Sequence, residues 1–269
     1  RLLDVANALT GSDFNDDTLI VSTSGRYEFR NKGIDVFIEA MNRLRFDENL
    51  KKEVVAFIEV PGWVNSPRQD LIERLNSGES FDTPLDMPLL THWLNEQEHD
   101  NVMNMAQSLG IRNAKGDKVK LIFVPCYLTG DDGVLNMSYY DLVLGNDLCV
   151  YPSYYEPWGY TPLEAVAFKV PCITTDLAGF GLWANIEKGA YSEIEDGVKV
   201  LHRTDYNYSE VADGIKDTVV RYSNFNNSIV NKCRRNAEKL SHKALWSEFI
   251  RYYEQAYDIA LRKAAVRND

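Results

Sequence analysis

No apolar run in the sequence approaches the ~20 residues that a membrane-spanning helix needs. The densest, Val54 to Val60, is interrupted by Glu59, so a membrane is not an expected partner. Positive charge is also short: 29 Lys and Arg stand against 40 Asp and Glu, a formal net charge of −11. Such a surface repels phosphate backbones and excludes nucleic acid as a general partner. Cysteine is sparse, at positions 126, 149, 172 and 233, with no Cys-x-x-Cys and no His at ligand spacing. That excludes a disulfide scaffold and provides no zinc motif. Cys126, Cys149 and Cys172 lie in or beside apolar runs, which suits reduced core thiols in a cytoplasmic setting. His92 and His99 read as one helix face without a third ligand. The sequence has no G-x-G-x-x-G, no Walker A pattern and no Asp-x-Asp. A dinucleotide fingerprint, a P-loop and a metal-bridged nucleotide-sugar site are thereby disfavoured. An initiator Met and a signal-peptide pattern are missing too, and we read the chain as a piece of something longer.

What is present is an alternation of elements. Thr18 to Thr23 and Glu53 to Val60 are near-continuous apolar strands of the kind buried on both faces of parallel sheets. Between them, Ile34, Phe37, Ile38, Met41 and Leu44 recur at helical spacing. Residues 63–110 break the rhythm and read as a helical insertion, with Leu71 and Leu75 on one stripe and Leu94 to Leu109 as a further helical stretch. Strands then resume at Val119 to Val124, Leu148 to Tyr151, Pro171 to Thr175 and Gly197 to His202, with short helices over 139–144 and 162–168. A stripe from Leu240 through Leu245, Phe249, Tyr253, Ala256 and Ala260 predicts one long C-terminal helix over about 239–264. The pattern is that of an α/β protein: one Rossmann-like parallel sheet with helices on both faces, ligands gathering at the carboxyl ends of the strands.

Two segments at that edge carry chemistry. Tyr151-Pro-Ser-Tyr-Tyr-Glu-Pro-Trp-Gly-Tyr-Thr-Pro-Leu-Glu164 leaves a strand and enters a helix. Thr161, Pro162 and Glu164 fit the N-cap, first position and third position of a capping box. The helix would then aim free N–H groups near Gly159, Tyr160 and Thr161 at the edge, where a phosphate is well received. Glu164 reads either as a cap or as a ligand group. Glu156 does no capping work, and a carboxylate among Tyr154, Tyr155 and Trp158 suits a sugar pocket. The second segment, Ser24-Gly-Arg-Tyr-Glu-Phe-Arg-Asn-Lys-Gly33, holds Arg26 and Lys32 in a Gly-bounded loop, a fork and a point charge that could converge on one anion. A third group of cations lies near the C-terminus. Residues 221–269 hold ten Lys and Arg against five Asp and Glu, net +5, leaving −16 for the first 220 residues. Arg234, Arg235 and Lys239, with Lys232, read either as a solvated helix face or as an anion or regulatory site.

The run from Pro152 to Pro162, with Thr23 to Gly33, Val119 to Tyr127 and the stretch ending Thr174-Thr-Asp-Leu-Ala-Gly-Phe-Gly181, resembles the donor-binding, C-terminal half of glycogen synthases of the animal and fungal branch, which has bacterial members. The resemblance implies a retaining glycosyltransferase of two Rossmann-like domains (GT-B), of which this chain is the second and the N-terminal acceptor domain is absent. It places Arg26 and Lys32 on the diphosphate of UDP-glucose, Glu156 on hydroxyls of the transferred glucose, Glu164 on the ribose and Tyr139 against uracil. Backbone amides at Gly159, Tyr160 and Thr161 complete the phosphate cradle, with no metal required. The implied acceptor is the non-reducing end of an α-1,4-glucan. The chain alone would bind nucleotide weakly and turn over little. The cations before Leu240 fall where the eukaryotic enzymes sense glucose 6-phosphate, with fewer arginines here. Alternatives are an ADP-glucose-using synthase, a non-catalytic nucleotide- or glucan-binding module, and an assembly role for residues 63–110 in a homo-oligomer.

Overall fold

The computed structural model describes residues 1–268. The chain opens with α1 (Leu2–Thr10), β1 (Leu19–Ser24), α2 (Ile34–Leu44) and β2 (Val54–Glu59). The excursion carries β3 (Val64–Pro67), α3 (Gln69–Ser77), β4 (His92–Leu94) and α4 (Asn101–Ser108). Then come β5 (Val119–Val124), α5 (Tyr139–Val143), β6 (Leu148–Tyr151), α6 (Tyr160–Ala167), β7 (Cys172–Thr175), α7 (Gly179–Lys188) and β8 (Val198–Leu201). Three helices close it: α8 (Tyr208–Ser223), α9 (Asn227–His242) and α10 (Trp246–Asn268).

The main sheet has six strands in the order β5-β2-β1-β6-β7-β8, every adjacent pair parallel. β1, β2 and β5 are buried at all six positions, as their unbroken apolar runs require when both faces are covered. Leu19 and Val21 pack with α2, α4 and α8 on one face. Ile20, Val55 and Phe57 pack with α1 and α3 on the other, where α6 and α7 cover β6 and β7. From β1 the chain builds outward to β2 and β5, then returns and builds the other way through β6, β7 and β8. The order therefore reverses between β1 and β6, and the crevice outside their carboxyl ends is where a doubly wound sheet receives ligands. Both chemistry-bearing loops, residues 24–33 and 151–159, leave those two strands.

Three expectations change. The insertion is not all helical: β3 and β4 form a two-stranded antiparallel sheet, His92 lies in β4, and His99 sits in a short 3-10 turn, so the two share no helix face. The fully buried Arg68 organises this region. Its guanidinium donates to the carbonyls of Asp86 (2.7 Å), Met87 (2.9 Å) and Leu90 (3.1 Å), pairs with Asp70, and lies 4.5 Å from the Trp93 ring centre. The single helix expected over 239–264 is two, broken at 243–245, where N–H groups reach back three residues. The stripe splits because its parts pack on different things. Leu240 packs on the core beside β6 and β7, and Phe249 on Trp158 and Trp183. Residues 251–267 of α10 are exposed.

Candidate functional site

The loop after β1 and the loop after β6 are laced together. Asn31 accepts a backbone bond from Tyr154 N–H at 2.7 Å. Gly33, in the left-handed region at φ +67°, sits so close to Pro152 that a Cβ there would stand 2.1 Å from the proline carbonyl oxygen. Only glycine permits both the conformation and the approach. The consequence is at the side chains. Lys32 Nζ donates to Glu156 Oε2 across 124 residues of sequence, with the two side chains only 16% and 19% exposed. Glu156 is held from the other side as well: its N–H donates to Leu177 O, and its carbonyl accepts from Gly179 N–H at 3.0 Å.

Arg26 lies in the same loop, yet its guanidinium is on Glu28 at 2.9 Å and is 74% exposed. Glu28 is braced in turn by Asn31 Nδ2 at 2.7 Å. An exposed pair of this kind holds at most about 1 kcal/mol, so an incoming anion can take Arg26 from Glu28 cheaply. Lys32 has three N–H donors and spends one on Glu156, leaving two for an oxyanion.

The helix that follows Glu156 begins two residues earlier than the capping-box reading requires. Gly159 is the N-cap at φ +110°, with no side-chain cap, and Pro162 falls at the third position rather than the first. Thr161 is therefore inside α6, and Glu164 does not cap: its Oε1 accepts from the Tyr140 hydroxyl at 3.2 Å. Burial raises the Glu164 carboxyl above its ordinary value, partly offset by that bond. The Tyr160 and Thr161 N–H groups lie in the first turn of α6, where no intrahelical acceptor exists. The next helix, α7, differs: Gly179 and Phe180 N–H donate to the carbonyls of Glu156 and Trp158. α6 thus keeps its positive end available and α7 does not.

Tyr139 opens α5, which Ser138 caps by accepting from Asp141 N–H. Its hydroxyl lies 3.1 Å from Ser24 Oγ at the end of β1, and burial pushes its ionisation up. Its neighbour Tyr140, half exposed and touching Glu164, was not singled out from sequence. Adjacency to Tyr139 and Ser-Tyr-Tyr at a helix start are the only signals it gives. Among the aromatics of the motif, Trp158 is committed to a cluster with Phe180, Trp183 and Phe249, its ring 5.6 Å from Phe249. Tyr154 donates its hydroxyl to Asp205. Tyr155 and Tyr160 remain exposed. A cleft of about 680 Å³ lies beside these loops and is lined by Arg30, Asp35, Tyr154, Arg203 and Tyr208 rather than by Lys32 or Glu156.

Arg234, Arg235 and Lys239 fall elsewhere. Arg234 on α9 pairs with Asp147 at 3.1 Å, and Asp147 also binds Ile20 N–H near the start of β1. That is the amino edge of the sheet, opposite the Lys32–Glu156 contact. Arg235 and Lys239 are exposed on the same helix.

Comparison with known proteins fits this arrangement. The Neurospora crassa glycogen [starch] synthase is 30% identical over 309 aligned residues, covering 93% of this chain and 42% of that protein. Isoform 2 of Saccharomyces cerevisiae is 29% identical, covering 93% and 44%. The mouse liver enzyme is 27% identical, covering 94% and 43%. The chain thus spans less than half the length of these relatives. The solved structure of WaaG, a glycosyltransferase involved in lipopolysaccharide biosynthesis, superposes with a TM-score of 0.49 at 16% identity, covering 85% of this chain and 44% of that one. A glycogen synthase family profile matches residues 9–76 and 81–268, nearly the whole chain and both loops at the switch point, and the chain belongs to the glycogen synthase family.

Proposed function

We propose that this chain is the donor-binding, catalytic half of a GT-B glycosyltransferase, which moves glucose from UDP-glucose to the 4-hydroxyl at the non-reducing end of an α-1,4-glucan with retention. The observation that carries the reading is the Lys32–Glu156 contact at the switch point of the sheet. In this reading Lys32 stands between the two parts of the donor: it orients Glu156 for the glucose hydroxyls and offers its remaining N–H groups to the phosphate. Arg26 leaves Glu28 for the diphosphate, and the amides at Gly159, Tyr160 and Thr161 complete the cradle. Glu164 takes the ribose, with Tyr140 bracing it, and Tyr139 takes the base.

Cleavage of the donor builds negative charge on the leaving diphosphate, and each aimed donor can supply about 3–4 kcal/mol of transition-state stabilisation. Fixed cations and helix-end amides do this work, so no metal is required. In this reading Glu156 binds and orients rather than attacks: Lys32 holds Oε2, and Oε1 is left for the glucose hydroxyls. Retention then follows from attack on the face the diphosphate leaves, with that group taking the acceptor proton. The acceptor is held with the help of the N-terminal domain, which the greater length of the relatives supports. Four buried free thiols support a cytoplasmic setting.

The test is thermal. UDP and UDP-glucose should raise the melting temperature, and Arg26→Ala should abolish the rise while leaving the ligand-free melt unchanged. An unchanged melt at millimolar UDP would overturn the reading, and a clear preference for ADP in competition would overturn the assignment of uracil to Tyr139. In the full-length protein, elongation that survives Glu156→Gln would remove Glu156 from the reaction.

A further inference from the structure

One cluster of ligand-type side chains takes no part in the reading above. His92 on β4, Cys126 just after β5 and Asp132 in the loop that follows present donor atoms all within 4.8 Å of one another. His92 and Asp132 are 2% and 0% exposed at their side chains, and Cys126 is buried. Glu59, at the end of β2 and paired in register with Val124 two residues before Cys126, lies outside that trio; it is 4% exposed, with neither carboxylate oxygen hydrogen-bonded. It follows Val55 and Phe57 on the face that also packs Val124 and Cys126, so strand alternation points it toward the same space. No Lys or Arg pairs with Glu59 or Asp132 among the described residues. A buried carboxylate without partner or counterion is costly, and it is relieved either by taking up a proton or by a bound cation.

We propose that His92, Cys126 and Asp132 bind one Zn²⁺ ion, with the fourth position left to water or to a Glu59 carboxylate that turns toward it, and that the ion staples the loop between β5 and α5 to the excursion and to the edge of the sheet.

The geometry suits that ion. Zinc bonds of about 2.0–2.3 Å in a tetrahedron put ligand atoms about 3.3–3.6 Å apart. His92 Nε2 and Asp132 Oδ1 are already 3.7 Å apart. The supporting bonds are of the kind that orient metal ligands. Asp132 is fixed by the N–H groups of Val134, Leu135 and Asn136, at 2.7–3.0 Å. His92 Nδ1 lies 2.8 Å from Thr91 Oγ1, and that hydroxyl reaches Phe123 O at 3.2 Å. With the metal bound, the imidazole proton sits on Nδ1 and goes to Thr91, freeing the Nε2 lone pair. Without it, Nε2–H donates to the Asp132 carbonyl at 3.0 Å. Sulfur and nitrogen donors select zinc over magnesium and calcium. The stapled loop ends at Ser138, the cap of the helix that carries Tyr139 and Tyr140, so the ion would stiffen that side of the switch point.

Cobalt reports on this site directly. The chain, stripped with chelator and desalted, is titrated with Co²⁺ and then Zn²⁺. One equivalent of Co²⁺ should give a thiolate-to-metal charge-transfer absorption with ligand-field bands of tetrahedral intensity, and Zn²⁺ should abolish both and raise the melting temperature. Cys126→Ser should lose the charge-transfer band. No band from the unsubstituted chain at millimolar Co²⁺ would overturn the proposal, as would a band of equal intensity in a folded Cys126→Ser chain. Should that variant fail to fold, the unsubstituted spectrum decides.

Discussion

Replacing Gly33 with alanine should cost far more than its single methyl suggests. At φ +67° an alanine pays the left-handed penalty, about 1–2 kcal/mol. The added Cβ would also stand 2.1 Å from the Pro152 carbonyl oxygen, where ordinary contact begins near 3.4 Å, so loop or strand end must move by about 1.3 Å. Pro152 is buried at the end of β6, and such forced displacements cost about 1–3 kcal/mol more. The sum, roughly 2–5 kcal/mol, lowers the melting temperature by about 4–20 °C at about 2–4 °C per kcal/mol. Gly189 is the control: it has φ +73° and nothing within 4 Å of its would-be Cβ, so Gly189→Ala should show the conformational penalty alone. Differential scanning calorimetry should find Gly33→Ala the less stable of the two by about 1–3 kcal/mol. The same displacement parts Asn31 from Tyr154 and Lys32 from Glu156, so the UDP-induced rise should vanish in Gly33→Ala and persist in Gly189→Ala. Equal melts for the two variants would refute the close approach of the loops.

Other consequences are simpler. Arg68→Ala leaves the carbonyls of Asp86, Met87 and the buried Leu90 without their donor and should destabilise the chain by roughly 1–3 kcal/mol in urea titration. The Lys216 ammonium holds the Asp47 carboxyl below the ordinary aspartate value. Their stabilisation is present above about pH 4 and is lost as pH falls through the lowered value, so Lys216→Met should flatten the acid limb of a stability–pH curve in that window. All four cysteines are buried, and burial pushes the thiols of Cys126 and Cys149 up to about 12. Ellman's reagent should therefore find no fast-reacting thiol in the native chain and four in denaturant. Because Arg234 is tied to Asp147 at the opposite edge of the sheet, Arg235→Ala and Lys239→Ala should leave the UDP response unchanged.

The sheet was legible because its strands are buried on both faces and so appear as unbroken apolar runs, β1 and β2 most plainly. α8 went unread although Val211, Ala212, Ile215, Val219 and Tyr222 keep helical spacing, diluted by polar residues at every turn. α7 begins Gly-Phe-Gly, which reads as a turn until Ala178 and the motif carbonyls are seen to hold it. β3 and β4 are short and pair only with each other; β3 has no buried residue, and the two buried residues of β4 are too few to read as an alternation. At the site, Lys32 and Glu156 were both recognised, and their mutual contact was not, since it depends on a glycine fit between segments far apart in sequence. The start of α6 was misplaced by two residues because Thr-Pro mimics a cap, whereas Gly159 supplies the left-handed turn. Arg68 gave no sequence signal at all; a lone arginine in a loop becomes a core residue only when three carbonyls converge on it.

In the proposed reading, Arg26, Lys32 and the first turn of α6 hold a nucleotide diphosphate with no divalent ion. Calorimetric titration of UDP into the chain, in buffer without Mg²⁺ or Mn²⁺ and then with each added, tests it most directly. Binding of the same strength is expected in all three buffers, weakened in Arg26→Ala and again in Lys32→Met. Binding that appears only when Mg²⁺ or Mn²⁺ is added, or that both substitutions leave unchanged, would contradict it.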